Sequence, residues 1–119
     1  MVGPVLEAAV VAVVHDLASP SYDEQLAAAV EHRAWWLAQW PDGAPHVLGL
    51  LAQDVQEAVH EDDPLWPTCR EVSCLENGRH PLLVEPALGP DPFWVCAYTG
   101  LPVAQVGGLV TGPPVTRRL

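Results

Sequence analysis

The sequence contains no lysine, and its five arginines are outnumbered by fifteen acidic residues. The formal net charge is −10 at pH 7. Binding to nucleic-acid phosphates requires a cationic surface, and attraction to anionic lipid requires the same. We therefore expect neither a nucleic acid nor a membrane as a partner. A basic protein surface and a metal ion are both compatible with this charge.

Long hydrophobic runs are also absent, since the longest is Ala8–Val14. A segment of this length is too short to span a bilayer. A secretory signal peptide is not indicated either, because no Lys or Arg precedes the run and Glu7 stands where a cation belongs. We predict a cytoplasmic protein, in which cysteines serve as thiols or metal ligands more often than as disulfides.

Sequence motifs for catalysis are missing as well. No serine lies in a Gly-x-Ser-x-Gly pattern, so a nucleophile elbow is not indicated. Gly107-Gly108 is not followed by the lysine that a phosphate-binding loop needs. These absences predict a protein that is not an enzyme.

What the chain does contain is apolar sequence: half of its 119 residues are hydrophobic, and five are tryptophan. This is enough for a packed core in one domain. We predict a single domain over 1–119, with a helical half at 1–63, a proline-rich, ribbon-like β-meander at 64–111 and a flexible tail at 112–119. The predicted fold class is α+β, with two or three N-terminal helices packed on a C-terminal three-stranded antiparallel β-meander.

Three segments of the N-terminal half carry helical signals. Val5–Leu17 is apolar on nearly all sides, and its β-branched valines leave a strand as the alternative. The second helix is predicted to begin at a capping box formed by Ser21 and Glu24, and to end at Pro41-Asp42-Gly43. The third is predicted over Pro45–Glu61, where apolar residues recur at helical spacing.

Prolines recur after Leu65, so a long helix is excluded from the second half. Short apolar runs bounded by turn residues predict three strands at Leu82–Glu85, Phe93–Ala97 and Leu101–Val106. Tyr98-Thr99-Gly100 supplies a tight turn between the last two strands. This pattern predicts the β-meander.

Three cysteines and one histidine of the second half form the most informative group: Cys69, Cys74, His80 and Cys96. Three thiolates and an imidazole can complete a tetrahedral zinc site, and such sites often stabilise small β-rich modules. The residues alone leave three states open. The group could hold a structural zinc ion, the cysteines could be buried without a ligand, or two of them could form a disulfide.

The segment that begins at Cys96 resembles a known metal-binding turn. Cys96-Ala97-Tyr98-Thr99-Gly100 is similar to the zinc-ribbon or rubredoxin-type knuckle, Cys-x-x-Cys-Gly, with Thr99 where the second cysteine belongs. The resemblance covers Trp66 to Val106, and it extends to small high-GC bacterial proteins with a short helical start and such a hairpin. It implies a ribbon that a metal ion stabilises. Two departures stand against it, because four residues rather than two separate Cys69 from Cys74, and Thr99 supplies no thiolate.

Glu57 and His60 form a second pattern with metal-binding chemistry. A Glu-x-x-His sequence places a carboxylate and an imidazole on one helical face, as in di-iron bundles. Those bundles need two such pairs and two further glutamates, and this chain has a single pair. A solvated helix end is therefore the simpler interpretation.

The first helix and the tryptophans indicate a binding surface, because one small core cannot readily bury all of them. The alternative is that all three helical tryptophans pack inside. We predict a protein-binding or assembly module, either a homo-oligomer or a small subunit of a larger complex. A structural zinc-binding domain is the alternative, and no cofactor other than structural zinc is expected. The predicted partner-binding residues are Val10, Val14, Trp35, Trp36 and Trp40.

Overall fold

A computed structural model of the protein describes residues 3–110. This part of the chain contains three α-helices and one antiparallel three-stranded sheet of order β1-β2-β3. The elements are α1 (Pro4–Leu17), α2 (Asp23–Gln39), α3 (Val47–Val59), β1 (Leu83–Glu85), β2 (Phe93–Val95) and β3 (Pro102–Gln105). The predicted α+β fold class is confirmed. The predicted tail at 112–119 lies outside the described residues.

The first apolar segment is a helix, which settles the choice between helix and strand. It ends at Leu17, and the capping residue Ala18 donates its N–H to the carbonyl oxygen of Val14 at 3.0 Å before its left-handed backbone (φ 53°) turns the chain away. One face of α1 is buried, and Leu6 and Val13 on this face are each 1% exposed. The opposite face is apolar too, yet Val11 there is 69% exposed. The core therefore covers only one of the two apolar faces of α1.

The predicted capping box at the start of α2 is wrong. Residues Pro20–Tyr22 form a turn of 3₁₀ helix, and α2 begins only at Asp23. The cap belongs to Ser19, which is extended (φ −151°) and whose hydroxyl accepts a hydrogen bond from the Ser21 N–H at 3.2 Å. Proline favours the first helical position, so Pro20 moves the start of the helical path upstream and places Ser21 inside it.

The third helix is shorter than predicted, because a 3₁₀ segment covers Pro41–His46 and α3 begins at Val47. Gly43 in this segment lies against two tryptophan rings. A Cβ atom at Gly43 would lie only 2.5 Å from Trp36 and 2.6 Å from Trp40, so no larger residue fits without displacing a ring. The close approach of this turn to α2 holds the second and third helices together at this end.

The core lies where α1 and α3 pack on each other and on the sheet. Its largest buried side chain is Trp94 of β2, which is 1% exposed. Each strand is shorter than predicted, and β1 begins at Leu83 rather than Leu82. Arg33 of α2 donates two hydrogen bonds to the Asp54 carboxylate of α3, so a bidentate ion pair joins these helices.

A buried carboxylate joins α1 to the sheet. Asp16 is 2% exposed, and its Oδ2 accepts hydrogen bonds from Trp94 Nε1 at 2.8 Å and from the Gly107 N–H. Its Oδ1 accepts from the Leu109 N–H at 3.0 Å and lies 2.9 Å from His15 Nδ1. Three donors from β2 and from the segment after β3 therefore converge on one side chain of α1.

Replacing Asp16 by alanine should lower the free energy of unfolding by about 3 kcal/mol or more, because each buried donor left without a partner costs about 1–3 kcal/mol. Urea unfolding monitored by tryptophan fluorescence measures the change. Asp62→Ala is the matched control, since Asp62 is exposed, and should change stability by less than about 0.5 kcal/mol. Equal losses in the two variants would contradict the role assigned to Asp16.

Candidate metal centre

The structure brings together the four side chains that the sequence singled out as metal ligands. Cys69, Cys74, His80 and Cys96 are all buried, and their candidate ligand atoms all lie within 4.8 Å of one another. Three of them come from the loop between α3 and β1, and Cys96 directly follows β2. Residues far apart in the chain thus form one cluster of three sulfur atoms and one nitrogen atom.

Backbone hydrogen bonds fold the loop so that its three ligands face one point. The Cys69 N–H donates to the carbonyl oxygen of His80 at 2.9 Å, and the Gly78 N–H donates to that of Cys69 at 2.7 Å. These bonds close the loop at its base. A turn in which the Cys74 N–H donates to the Glu71 carbonyl at 3.0 Å then brings Cys74 back toward the base.

Helix α3 fixes the position of this loop. Gln56, which is 7% exposed, donates from Nε2 to the carbonyl oxygens of Leu82 at 2.7 Å and Trp66 at 3.3 Å. His60 Nε2 donates to the same Trp66 carbonyl at 2.7 Å. Both ends of the loop are therefore hydrogen-bonded to one helix.

His80 is oriented as a metal ligand. Its Nδ1 lies 2.9 Å from the carbonyl oxygen of Pro81, which can only accept, so Nδ1 carries the proton. The lone pair of Nε2 then faces the sulfur atoms, which lie 3.4 Å away in Cys74 and 3.9 Å away in Cys96. A second ring nitrogen bonded to a carbonyl is the usual arrangement around a metal-bound histidine. The ring of Tyr98 packs edge-on against His80 at 4.5 Å.

The turn after Cys96 has the geometry that its resemblance to a zinc knuckle implies. The Gly100 N–H donates to the Cys96 carbonyl at 2.8 Å, and Gly100 has a positive φ of 74°. The Thr99 N–H points at Cys96 Sγ at 3.4 Å. Thr99 thus supplies a backbone N–H donor to the sulfur rather than a second thiolate. The other three members of the cluster come from the loop at residues 69–80. This arrangement is compatible with a zinc knuckle.

The surroundings shift the pKa values of two of the thiols in opposite directions. Burial raises the pKa of Cys69 to about 11. Hydrogen bonds from Thr99 lower the pKa of Cys96 to about 6 despite its burial. Cys96 is therefore more ready than Cys69 to act as a thiolate ligand, and Cys69 needs a cation to displace its proton.

Of the two alternatives to a zinc site, the disulfide differs from the structure, whereas buried cysteines without a ligand agree with it. All three cysteines are free, so no disulfide joins them. Within residues 3–110, the side chains close enough to hold a metal ion are Cys69, Cys74, His80 and Cys96. Glu57 and His60 are not part of this group. His60 instead bonds to the loop backbone, so the di-iron interpretation finds no support in this part of the chain.

The residues predicted to bind a partner lie in different environments. Trp35 and Trp40 are 61% and 46% exposed, whereas Trp36 is half-buried and meets Trp40 edge-on at 5.2 Å. Val14 is exposed, but Val10 is half-buried against the core. The alternative that all three helical tryptophans pack inside is therefore wrong for Trp35 and Trp40.

Several supporting residues of the cluster did not stand out in the sequence. The Pro81 carbonyl, the Thr99 amide and the Tyr98 ring act through the backbone or through packing, and composition carries no signal for such contacts. The same holds for Gln56, whose neighbours in the helix gave no sign that it faces the metal-binding loop. Tyr98, an aromatic residue two positions after Cys96, was the one sequence feature that could have indicated such packing.

Four buried nitrogen and sulfur ligands in one cluster define a candidate metal-binding domain. The family described as "Domain of unknown function (DUF8819)" matches residues 3–106, and the chain belongs to this family. The match spans both the helices and the cluster. No curated protein and no solved structure matches the chain. Over residues 3–110, no helix combines the length and the apolar character needed to cross a membrane.

Proposed function

We propose that this protein is a zinc-stabilised module whose Cys69–Cys74–His80–Cys96 cluster binds one structural Zn²⁺ ion. The observation that carries the proposal is the convergence of four buried ligand atoms within 4.8 Å of one another. Thiolate and imidazole ligands in a set of four favour Zn²⁺ over harder cations such as Mg²⁺ and Ca²⁺. Four protein ligands leave no open position for a substrate, which supports a structural role rather than a catalytic one.

The loop that supplies three of the ligands explains why a metal ion is needed. Between Cys69 and His80 it contains no helix or strand, and the apolar residues Val72 and Leu75 of this stretch are 92% and 96% exposed. Such a loop buries little apolar surface, so the hydrophobic effect stabilises it weakly. A zinc ion bonded to Cys96 as well would tie this loop to the end of β2.

The zinc-stabilised domain serves, in this proposal, as a protein-binding or assembly module in a reducing compartment. Support comes from apolar side chains that the fold leaves exposed on the helices, chiefly Val11, Val14 and Trp35. The partner is another protein chain, either a second copy or a component of a larger complex. No side chain in the proposal has a catalytic role.

Native mass spectrometry of the purified protein should show one zinc ion per chain, lost on acidification because protons displace the metal from its ligands. Replacing any ligand, as in Cys74→Ser or His80→Ala, should weaken zinc affinity by more than about 100-fold, since even loss of an outer partner costs 10–100-fold. Ser73→Ala in the metal-binding loop and His32→Ala on α2 change exposed side chains of similar type and should retain the metal. Metal-free protein that keeps full stability in chelator would refute the proposal.

Removal of zinc by a chelator should loosen one part of the domain more than the rest. Amide hydrogen exchange should accelerate most at Cys69, Gly78 and Cys96, whose N–H groups are bonded around the cluster. The backbone amides of α1 and α3 should stay better protected from exchange, because the packing of these helices does not depend on the metal ligands. Uniform acceleration, or none, would show that the metal does not stabilise this loop.

A further inference from the structure

The outer face of α1 is apolar although it is exposed. Pro4, Ala8, Val11 and Val14 follow one another at helical spacing on this face, and all are exposed, Val11 at 69% and Val14 at 47%. Surface helices normally direct charged residues outward. Here the exposed face of α1 carries only Glu7 and His15 as titratable groups.

Charge identifies the surface through which a second copy could approach. Two chains of net charge −10 repel each other wherever acidic surfaces meet. The exposed surface of α2 carries Asp23, Glu24 and Glu31. Helix α3 carries the exposed Glu57, and three acidic residues begin two positions after its end. Among the three helices, the outer face of α1 is the one that presents the fewest acidic residues to a second copy.

We propose that this face is the contact surface of a symmetric homodimer, in which α1 of one copy packs antiparallel on α1 of a second copy with the two-fold axis at Val11. The inference rests on the assembly role proposed above and names the partner as a second copy of this chain. It is independent of the zinc site, because no ligand lies on α1.

The antiparallel orientation follows from the positions of the two titratable groups. Glu7 and His15 lie four residues before and after Val11, about 6 Å along the helix in each direction. In an antiparallel pair centred on Val11, Glu7 of each copy is therefore level with His15 of the other. A parallel pair would instead place Glu7 against Glu7. His15 uses Nδ1 to contact Asp16, so the contact to Glu7 of the second copy falls to Nε2.

A groove lies where this register needs one. At the C-terminal end of α1 a groove of about 270 Å³ is lined by five apolar residues, among them Val14, Ala18 and Leu26, and by Ser19 and Asp23. Pro4 lies seven residues before Val11, and Ala18 lies seven residues after it. In the antiparallel pair, Pro4 of the second copy is thus level with Ala18 of the first. The start of α1 in the second copy then covers the groove of the first. Symmetry fills both grooves.

Sedimentation equilibrium of the zinc-loaded full chain should give a dimer, and Val11→Asp should weaken dimerisation by about 100-fold or more, because two carboxylates would meet at the axis. Val72→Asp is the matched control, since Val72 is 92% exposed on the metal-binding loop, and should leave the dimer unchanged. The zinc content of each variant reports folding independently. A zinc-loaded protein that is monomeric at all concentrations overturns the dimer and leaves the zinc site standing, whereas a metal-free dimer does the reverse.

Cysteine crosslinking tests the orientation. Val11→Cys should form a disulfide-linked dimer under mild oxidation, because residue 11 faces itself across the axis. Pro4→Cys should not, since the two copies of residue 4 would be about 21 Å apart along an antiparallel pair. Efficient crosslinking through residue 4 would overturn the antiparallel arrangement. A dimer that resists Val11→Asp but dissociates on Trp35→Asp would place the interface on α2 and overturn the inference.

Discussion

The fold depends on the buried carboxylate of Asp16. It sits at the C-terminal end of α1, where the helix dipole disfavours negative charge, and burial adds a further cost. The position is tolerable because Trp94, Gly107 and Leu109 each donate a hydrogen bond to it. These donors belong to β2 and to the segment after β3, so satisfying one side chain fixes how α1 lies on the sheet. A helix apolar on two faces could otherwise pack in more than one rotation, and the carboxylate selects one of them.

Strand β2 connects this carboxylate to the metal cluster. Trp94 lies in β2 and Cys96 directly follows this strand, and both side chains are buried. Trp94 reaches the end of α1, whereas Cys96 reaches the loop that carries the other three ligands. Hydrophobic packing accounts for the helices and the inner face of the sheet. Between Cys69 and His80 the metal-binding loop leaves its apolar residues Val72 and Leu75 exposed, and in this stretch coordination chemistry would replace burial.

The sequence was sufficient for the fold class, for two of the three helices, for the three strands and for the four members of the cluster, whereas Val5–Leu17 stayed open between helix and strand. Helical spacing and scarce cysteines are strong local signals, and each pointed to the right elements. Boundaries were less accurate, because Pro20 created a 3₁₀ turn that moved the cap from Ser21 to Ser19. Asp16 could not have been identified, since an acidic residue beside His15 at a helix end is ordinary surface sequence. Its role arises from donors more than 70 residues away, as with Trp94.

The two groups of exposed apolar residues differ in what holds them in place, and this difference constrains how the protein can act. Val11 and Val14 lie on a helix whose inner face is packed in the core, so we expect their arrangement to be independent of the metal. Val72 and Leu75 lie on the loop between Cys69 and Gly78, which the proposed zinc ion would hold in place. A partner that binds α1 would therefore be insensitive to zinc, whereas one that binds the loop would require it. Zinc dependence of an interaction thus reports which surface carries it, even before the partner is known.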